Sequence, residues 1–322
     1  MNSRTLPVAF LLAVSAVPLC GQPGQVGGPV VGFVFDGSAA ALRPILGIPG
    51  ASTLGAPLDA GFGMSWAVVA PRQDSAIVSD SSGALHLLRL GSGIAEVRCS
   101  ACPATAGAAV FSPSGTAVAL YEAGRVQILT GLPDAPVPGA NFEVVRPSRA
   151  ARGGAPAPGM ALSDDGAWLL VSAPGSADLL AANGGPRQLL RTGAYPLVAF
   201  AAGGHDAAVA DPGRGVLTVI RDVAGASVEQ SLIALGGIRH ARALAFSGDG
   251  ARLFLAIPAE QSVSAIEIAS GTVKTAACDC SPALLTAMGK VLRLNETGAG
   301  PLWLLDGEAA AEPRLVFVPA AQ

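Results

Sequence analysis

Charge is the scarcest property of this chain. Asp, Glu, Lys and Arg make up 13% of its 322 residues, against roughly 25% in an ordinary soluble domain. The 20 basic and 23 acidic residues leave a net charge of −3, so no field of one sign exists to gather nucleic acid or an anionic membrane. Aromatic residues are also few, at 5%. Intrinsic disorder is excluded by the 51% hydrophobic share, because disorder needs low hydrophobicity and high charge. A coiled coil is excluded because its heptads are rich in Glu, Lys and Arg. After the first twenty residues no apolar run reaches membrane length, about 20 residues, without Gly, Pro or charge. What the chain has in quantity is small residues: 41 Gly, 25 Pro and many Ala.

Residues 1–21 read as an export leader. Arg4 supplies the positive start, Pro7 to Val17 the short apolar centre, and Ala16 and Gly21 the small residues that precede a cleavage site. Leu19 stands before Cys20 where a lipoprotein signal carries a small residue, which argues against lipidation. The remaining residues, 22–322, are expected to form one exported domain, periplasmic or extracellular and monomeric.

An internal period organises that domain. Six segments each contain an apolar strand, a short polar turn and a second apolar strand, starting at Val69, Phe111, Leu162, Phe200, Phe246 and Leu285. They are spaced 42, 51, 38, 46 and 39 residues apart, within the range of about 40–50 residues for propeller repeats. The turns Ser112-Pro113-Ser114-Gly115, Ser163-Asp164-Asp165-Gly166 and Ser247-Gly248-Asp249-Gly250 end in Gly, which takes the positive φ that a tight hairpin needs. The first segment lacks that Gly. Third and fourth apolar runs follow most hairpins, as in Ser262–Ile268 with Thr272–Ala276. The fold class expected is therefore all-β, a β-propeller of four-stranded blades. Seven blades are favoured by length, and six with an extra hairpin is the alternative. Val30–Asp36 and Leu42–Ile48 read as a third and fourth strand without the first two.

The Phe-Ser-Pro-Ser-Gly turn at Phe111 and the Phe-Ser-Gly-Asp-Gly turn at Phe246, each followed by an apolar strand, resemble the YVTN-type and WD40-like repeats of bacterial propellers. The resemblance spans roughly residues 28–320. It implies the fold more than an activity, since propellers of this kind include lactonases, subunits of redox enzymes and plain binding scaffolds. No residue here matches a catalytic motif of those families, so no catalytic, cofactor-binding or metal-binding residue is assigned.

Two cysteine pairs stand out. Cys99-Ser-Ala-Cys102 and Cys278-Asp-Cys280 both follow a fourth strand and precede the next blade. In an exported protein such pairs usually oxidise, giving Cys99–Cys102 and Cys278–Cys280. The alternative is a four-thiolate zinc site. The Cys-x-Cys spacing and the separation of the two blades oppose it. His86, His205 and His240 form no local metal motif; His86 reads as a packed or edge residue, His205 as part of a turn, and His240 as lying on a loop that reaches the ligand-binding face. Asp80, Asp211, Asp222 and Asp306 read as turn caps. Arg149 and Arg152 lie in a Pro- and Gly-rich inter-blade segment, Pro147–Pro158, and Asn295-Glu296-Thr297 is a glycosylation sequon by pattern. The function expected is a non-catalytic binding or scaffold module without a cofactor, its partner an unknown protein or small-molecule ligand. A lactonase-like hydrolase with its site at the channel mouth is the alternative.

Overall fold

A computed structural model describes residues 28–144, 159–193, 195–225, 229–234, 236–307 and 312–320. The leader, residues 1–21, and the segment Pro147–Pro158 lie outside these residues. Antiparallel strands dominate, and the helix among the described residues is two short 3-10 turns, Gly236–His240 and Pro258–Glu260. None of their helices is long and apolar enough to cross a membrane.

The strands form seven sheets. Blade 1 holds β1 (Val30–Asp36), β2 (Ala41–Ile48) and β3 (Ala51–Leu54). Blade 2 holds β4 (Met64–Val69), β5 (Ser75–Asp80), β6 (Leu85–Leu90) and β7 (Ile94–Val97). Blade 3 follows with β8 (Ala108–Phe111), β9 (Ala117–Glu122), β10 (Arg125–Thr130) and β11 (Val137–Glu143), and blade 4 with β12 (Met160–Leu162), β13 (Trp168–Ala173), β14 (Ser176–Ala181) and β15 (Arg187–Arg191). Blade 5 is β16 (Leu197–Phe200), β17 (Ala207–Asp211), β18 (Val216–Arg221) and β19 (Glu229–Ala234). Blade 6 is β20 (Ala243–Phe246), β21 (Arg252–Ile257), β22 (Ser262–Glu267) and β23 (Val273–Ala277), and blade 7 is β24 (Thr286–Met288), β25 (Val291–Arg293), β26 (Leu302–Asp306) and β27 (Arg314–Val318). The protein is a seven-bladed propeller.

Period-two alternation builds its core. Along β13, Leu169 and Val171 face blade 3, while Leu170 between them faces blade 5. Repeated round the ring, this gives seven apolar clusters, one at each blade-to-blade interface, with the last joining blade 7 to blade 1 through Leu304, Val316, Ile45 and Val34. The alanine richness is explained here as much as at the channel. Ala76, Ala117, Ala119, Ala207, Ala208 and Ala210 on the second strands are fully buried between blades, where a larger side chain would push the sheets apart.

Blade 1 departs from the expected reading. Its strands match the second, third and fourth of a full blade, so among the described residues one strand is missing and not two. Asp36 at the end of β1 accepts bonds from the Ser38 amide and hydroxyl and the Ala39 amide. Asp80, at the end of the second strand of blade 2, does the same for Ser82 and Ala84. Thr297, in the loop after the second strand of blade 7, bonds the Phe35 carbonyl, so this end of β1 lies with the loops that follow second strands. At the opposite end, the first hairpins of blades 7 and 2 meet directly: the Gly289 amide donates to the Pro71 carbonyl at 2.7 Å.

The missing strand explains the hairpin that lacks glycine. In blades 3, 4 and 6 the left-handed turn position is Gly115, Gly166 or Gly250, with φ of 72°, 68° and 69°; in blade 2 it is Gln73, with φ of 64°. The Gln73 carboxamide oxygen accepts the Phe33 amide of β1 at 2.7 Å, and its nitrogen donates to the Ala70 carbonyl at 3.0 Å. Gln73 thus supplies to the inner edge of β1 a bond that a neighbouring strand supplies in the other blades. A side chain at positive φ costs about 1–2 kcal/mol, while a buried amide left without an acceptor costs about 1–3 kcal/mol. We therefore expect Gln73→Gly to destabilise the protein by about 1 kcal/mol in denaturant unfolding. Stabilisation, the result of strain relief alone, would contradict this role.

Candidate functional site: the central channel

Six first strands, β4, β8, β12, β16, β20 and β24, surround a central cavity of about 320 Å³, near the lower bound of roughly 300 Å³ for small-molecule pockets. Its wall includes Val68, Val110, Ala161, Val198, Leu244 and Ala287, and Thr286 is the polar residue that a first strand contributes to it. No ionisable side chain lines this cavity among the described residues.

At the end where first strands turn into second strands, the channel opens into a mouth of about 230 Å³. Pro71, Pro113, Phe200 and Phe246 line both spaces, so mouth and channel are continuous. Arg72, Lys290 and Ser247 supply polarity at the mouth, and no carboxylate lines it among the described residues. The Arg72 side chain is held in place, with Nε 2.8 Å from Asp74 Oδ2 and Nη2 3.2 Å from the Leu132 carbonyl.

The serines of the repeated turns are structural. Ser112, Ser163 and Ser247 are buried, and their hydroxyls accept the amides of Ala117, Trp168 and Arg252 across each hairpin. Ser163 and Ser247 also donate to Asp165 and Asp249, two residues on, at 2.5 Å. The hydrogen bond from Ser247 holds the Asp249 carboxyl below the usual carboxylate range. Asp164 bridges three blades, accepting the Ser114 amide at 2.6 Å and the Gly203 amide at 2.8 Å.

The histidines do not converge. His86 lies on β6, stacked on Phe62 with ring centroids 4.3 Å apart. Its Nδ1 is 2.8 Å from Glu96 and its Nε2 is 3.4 Å from Asp80. Partial burial opposes its charge, yet hydrogen bonds to Glu96 and Asp80 prevail and raise its pKa. The Ser82 hydroxyl bonded to Asp80 is the largest influence holding that carboxyl at about 2. His205 sits in its turn 2.8 Å from Asp165. His240 is exposed at the end of the 3-10 turn Gly236–His240 and lines neither the channel nor the mouth. No group of three or more His, Cys, Asp or Glu among the described residues is arranged to hold a metal. Asp80 and Asp211 do cap turns, whereas Asp306 faces Arg314 at 3.5 Å. The Asn295 amide is already engaged, bonding the Trp303 amide and the Pro301 carbonyl.

Arg72 and Lys290 were not legible as a pair from sequence. Each sits in an unremarkable hairpin turn, more than two hundred positions apart, and only closure of the ring brings their turns together.

No protein-family profile and no curated protein matches the chain. Solved structures do. A protein from Lactobacillus plantarum aligns with a TM-score of 0.59 and 14% identity, covering 90% of this chain and 96% of that one. A candidate 6-phosphogluconolactonase from Bacteroides fragilis aligns at 0.58 with 13% identity, over 90% and 94% of the two chains. Its counterpart from Bacteroides uniformis aligns at 0.57 with 16% identity, over 91% and 97%. At these identities the likeness establishes the propeller fold alone.

The cysteines pair within each loop, Cys99 with Cys102 and Cys278 with Cys280, at Cα separations of 5.3 and 5.1 Å. The first pair packs into the blade 2–3 interface and the second into the blade 6–7 interface. Cys278 and Cys280 are buried there, so their loss also removes core contacts. We expect Cys99→Ala with Cys102→Ala to lower the melting temperature by a few degrees, since so small a ring contributes on the order of 1–2 kcal/mol. Cys278→Ala with Cys280→Ala should lower it further. Peptide mapping of exported protein should recover both local links. A link between the two loops, or one zinc bound by four free thiols, would contradict this pairing.

Proposed function

We propose that the protein is an exported, non-catalytic propeller, built from YVTN-like repeats, that binds a small apolar ligand in its central channel. The observation that carries this reading is the chemistry of the wall. Six strands present Val, Ala, Leu, Phe and Met to a space of about 320 Å³, and burial of apolar surface contributes roughly 25 cal/mol per Å². Residues of that kind exclude water and hold a hydrocarbon body; they neither activate water nor donate a nucleophile. The export leader and the close cysteine pairs support a site outside the cytoplasm.

A lactonase-like hydrolase is the second reading, favoured by the names of two structural neighbours. It requires a group that activates water near the mouth, where Ser247 is already committed to Asp249 and the Arg252 amide.

Titration with phenylnaphthylamine, a neutral apolar dye, tests the proposal beside a panel of lactones and nitrophenyl esters. The expected result is saturable binding of one dye per chain, weakened at least tenfold by Ala287→Phe, with no turnover above buffer. No dye binding, or turnover that Ala287→Phe abolishes, would overturn it.

A further inference from the structure

The inner edge of β1 is a strand edge enclosed within the ring. In the other six blades a first strand pairs with the second; among the described residues none pairs with β1 on this side. A cavity of about 270 Å³ lies there, walled by Phe33, Val34 and Phe35 of β1, by β4 of blade 2 and by β24 of blade 7. Those are the neighbours that a first strand of blade 1 would have. The cavity shares Val68 and Ala287 with the central channel.

The edge is polar in a strand-like register. Leu42 and Pro44, opposite Phe35 and Phe33, give their carbonyls to the Leu58 and Gly55 amides. Alternation along an antiparallel strand therefore turns the amide and carbonyl of both Phe33 and Phe35 toward the inner edge. Two of these four groups are engaged: Gln73 Oε1 accepts the Phe33 amide, and the Thr297 hydroxyl donates to the Phe35 carbonyl. No described residue bonds the other two, the Phe33 carbonyl and the Phe35 amide. In an antiparallel partner this pair meets the N–H and C=O groups that flank one residue, the residue opposite Val34. With Asp36 aligned on Asp80, that residue corresponds to Ala67, opposite Val78 in blade 2. Ala161, Ala199, Ala245 and Ala287 also stand opposite second strands in their blades.

We propose that this edge binds a short extended peptide from another protein, in the place of the missing first strand and with a small apolar residue opposite Val34. Main-chain bonds give an added strand its affinity, and the spaces for its side chains give specificity. Side chains of Met288 and Gln73 crowd Gly32, so the peptide pairs along Phe33–Phe35 only. The residues just ahead of β1 match this chemistry poorly: Gln22 to Gly27 hold two glutamines and Pro23, which has no amide.

The probe is acetyl-Ala-Leu-Ala-Phe-amide, the sequence of β20, beside its fully N-methylated analogue, which keeps the side chains and loses the N–H donors. Both are titrated into the intact protein, with phenylnaphthylamine measured alongside. The expected result is saturable binding of one peptide per chain, at least tenfold weaker for the analogue, with intermolecular Overhauser contacts between the Phe35 amide and the bound peptide. Equal binding of the analogue, binding without contacts at Phe35, or no binding of the peptide would overturn the proposal. Binding only by a chain that starts at Gly28 would give the edge to this chain's own preceding residues and overturn occupation by another protein. A protein that binds the dye but not the peptide loses the strand site and keeps the channel; failure of the dye bears on the channel alone.

Discussion

The hydrogen bond from the Gly289 amide to the Pro71 carbonyl spans the thinnest part of the ring. A propeller has no single centre of stability; each blade buries its faces only against its two neighbours, so the ring must close to exclude water from every interface. Here, among the described residues, one blade lacks the strand that would stand nearest the axis. Blades 7 and 2 reach past it and join, and Gln73 and Thr297 bond to the edge left open, beside a cavity of about 270 Å³. An added Cβ at Gly32 would fall 2.4 Å from the Met288 side chain and 2.6 Å from Gln73. A larger residue there would have to displace the side chains of Met288 and Gln73, and with the latter its bond to Phe33.

The same closure shapes the site. Six first strands among the described residues surround the axis, and their small and branched side chains leave a narrow apolar channel. The seam that holds the ring also brings the turns of Arg72 and Lys290 to one mouth. Stability and chemistry therefore share residues: Pro71 carries the seam through its carbonyl, lines the mouth and channel with its ring, and precedes Arg72. Other links across this face act in the same direction. Asp164 ties blades 3, 4 and 5, and Arg72 reaches from blade 2 to the Leu132 carbonyl of blade 3.

Much of the fold was legible because its turns depend on local chemistry. Ser112, Ser163 and Ser247 bond their own hairpins, and Gly115, Gly166 and Gly250 take a φ few other residues adopt, so the period appears in the residues themselves. Blade 1 was misread by one strand because Asp36 closes a turn that looks the same from sequence wherever it sits in a blade; its position is fixed by Thr297 and Gln73, far away in the chain. The outer strand β15 carries polar residues such as Arg187 and Gln188, so it shows no strong alternation in sequence. The missing glycine at Gln73 was visible, and its cause was not. That the turns of Arg72 and Lys290 meet depends on which blades meet, which no local pattern encodes.

Amide hydrogen exchange at Gly289 tests the closure most directly. This residue is exposed and lies in a two-residue turn, so without the bond to Pro71 its amide would exchange as fast as that of Gly298 in an exposed loop. If the seam carries the ring, the Gly289 amide exchanges only when blades 7 and 2 separate, slower by several orders of magnitude and close to the rate set by global unfolding. Exchange at the rate of Gly298 would contradict the account.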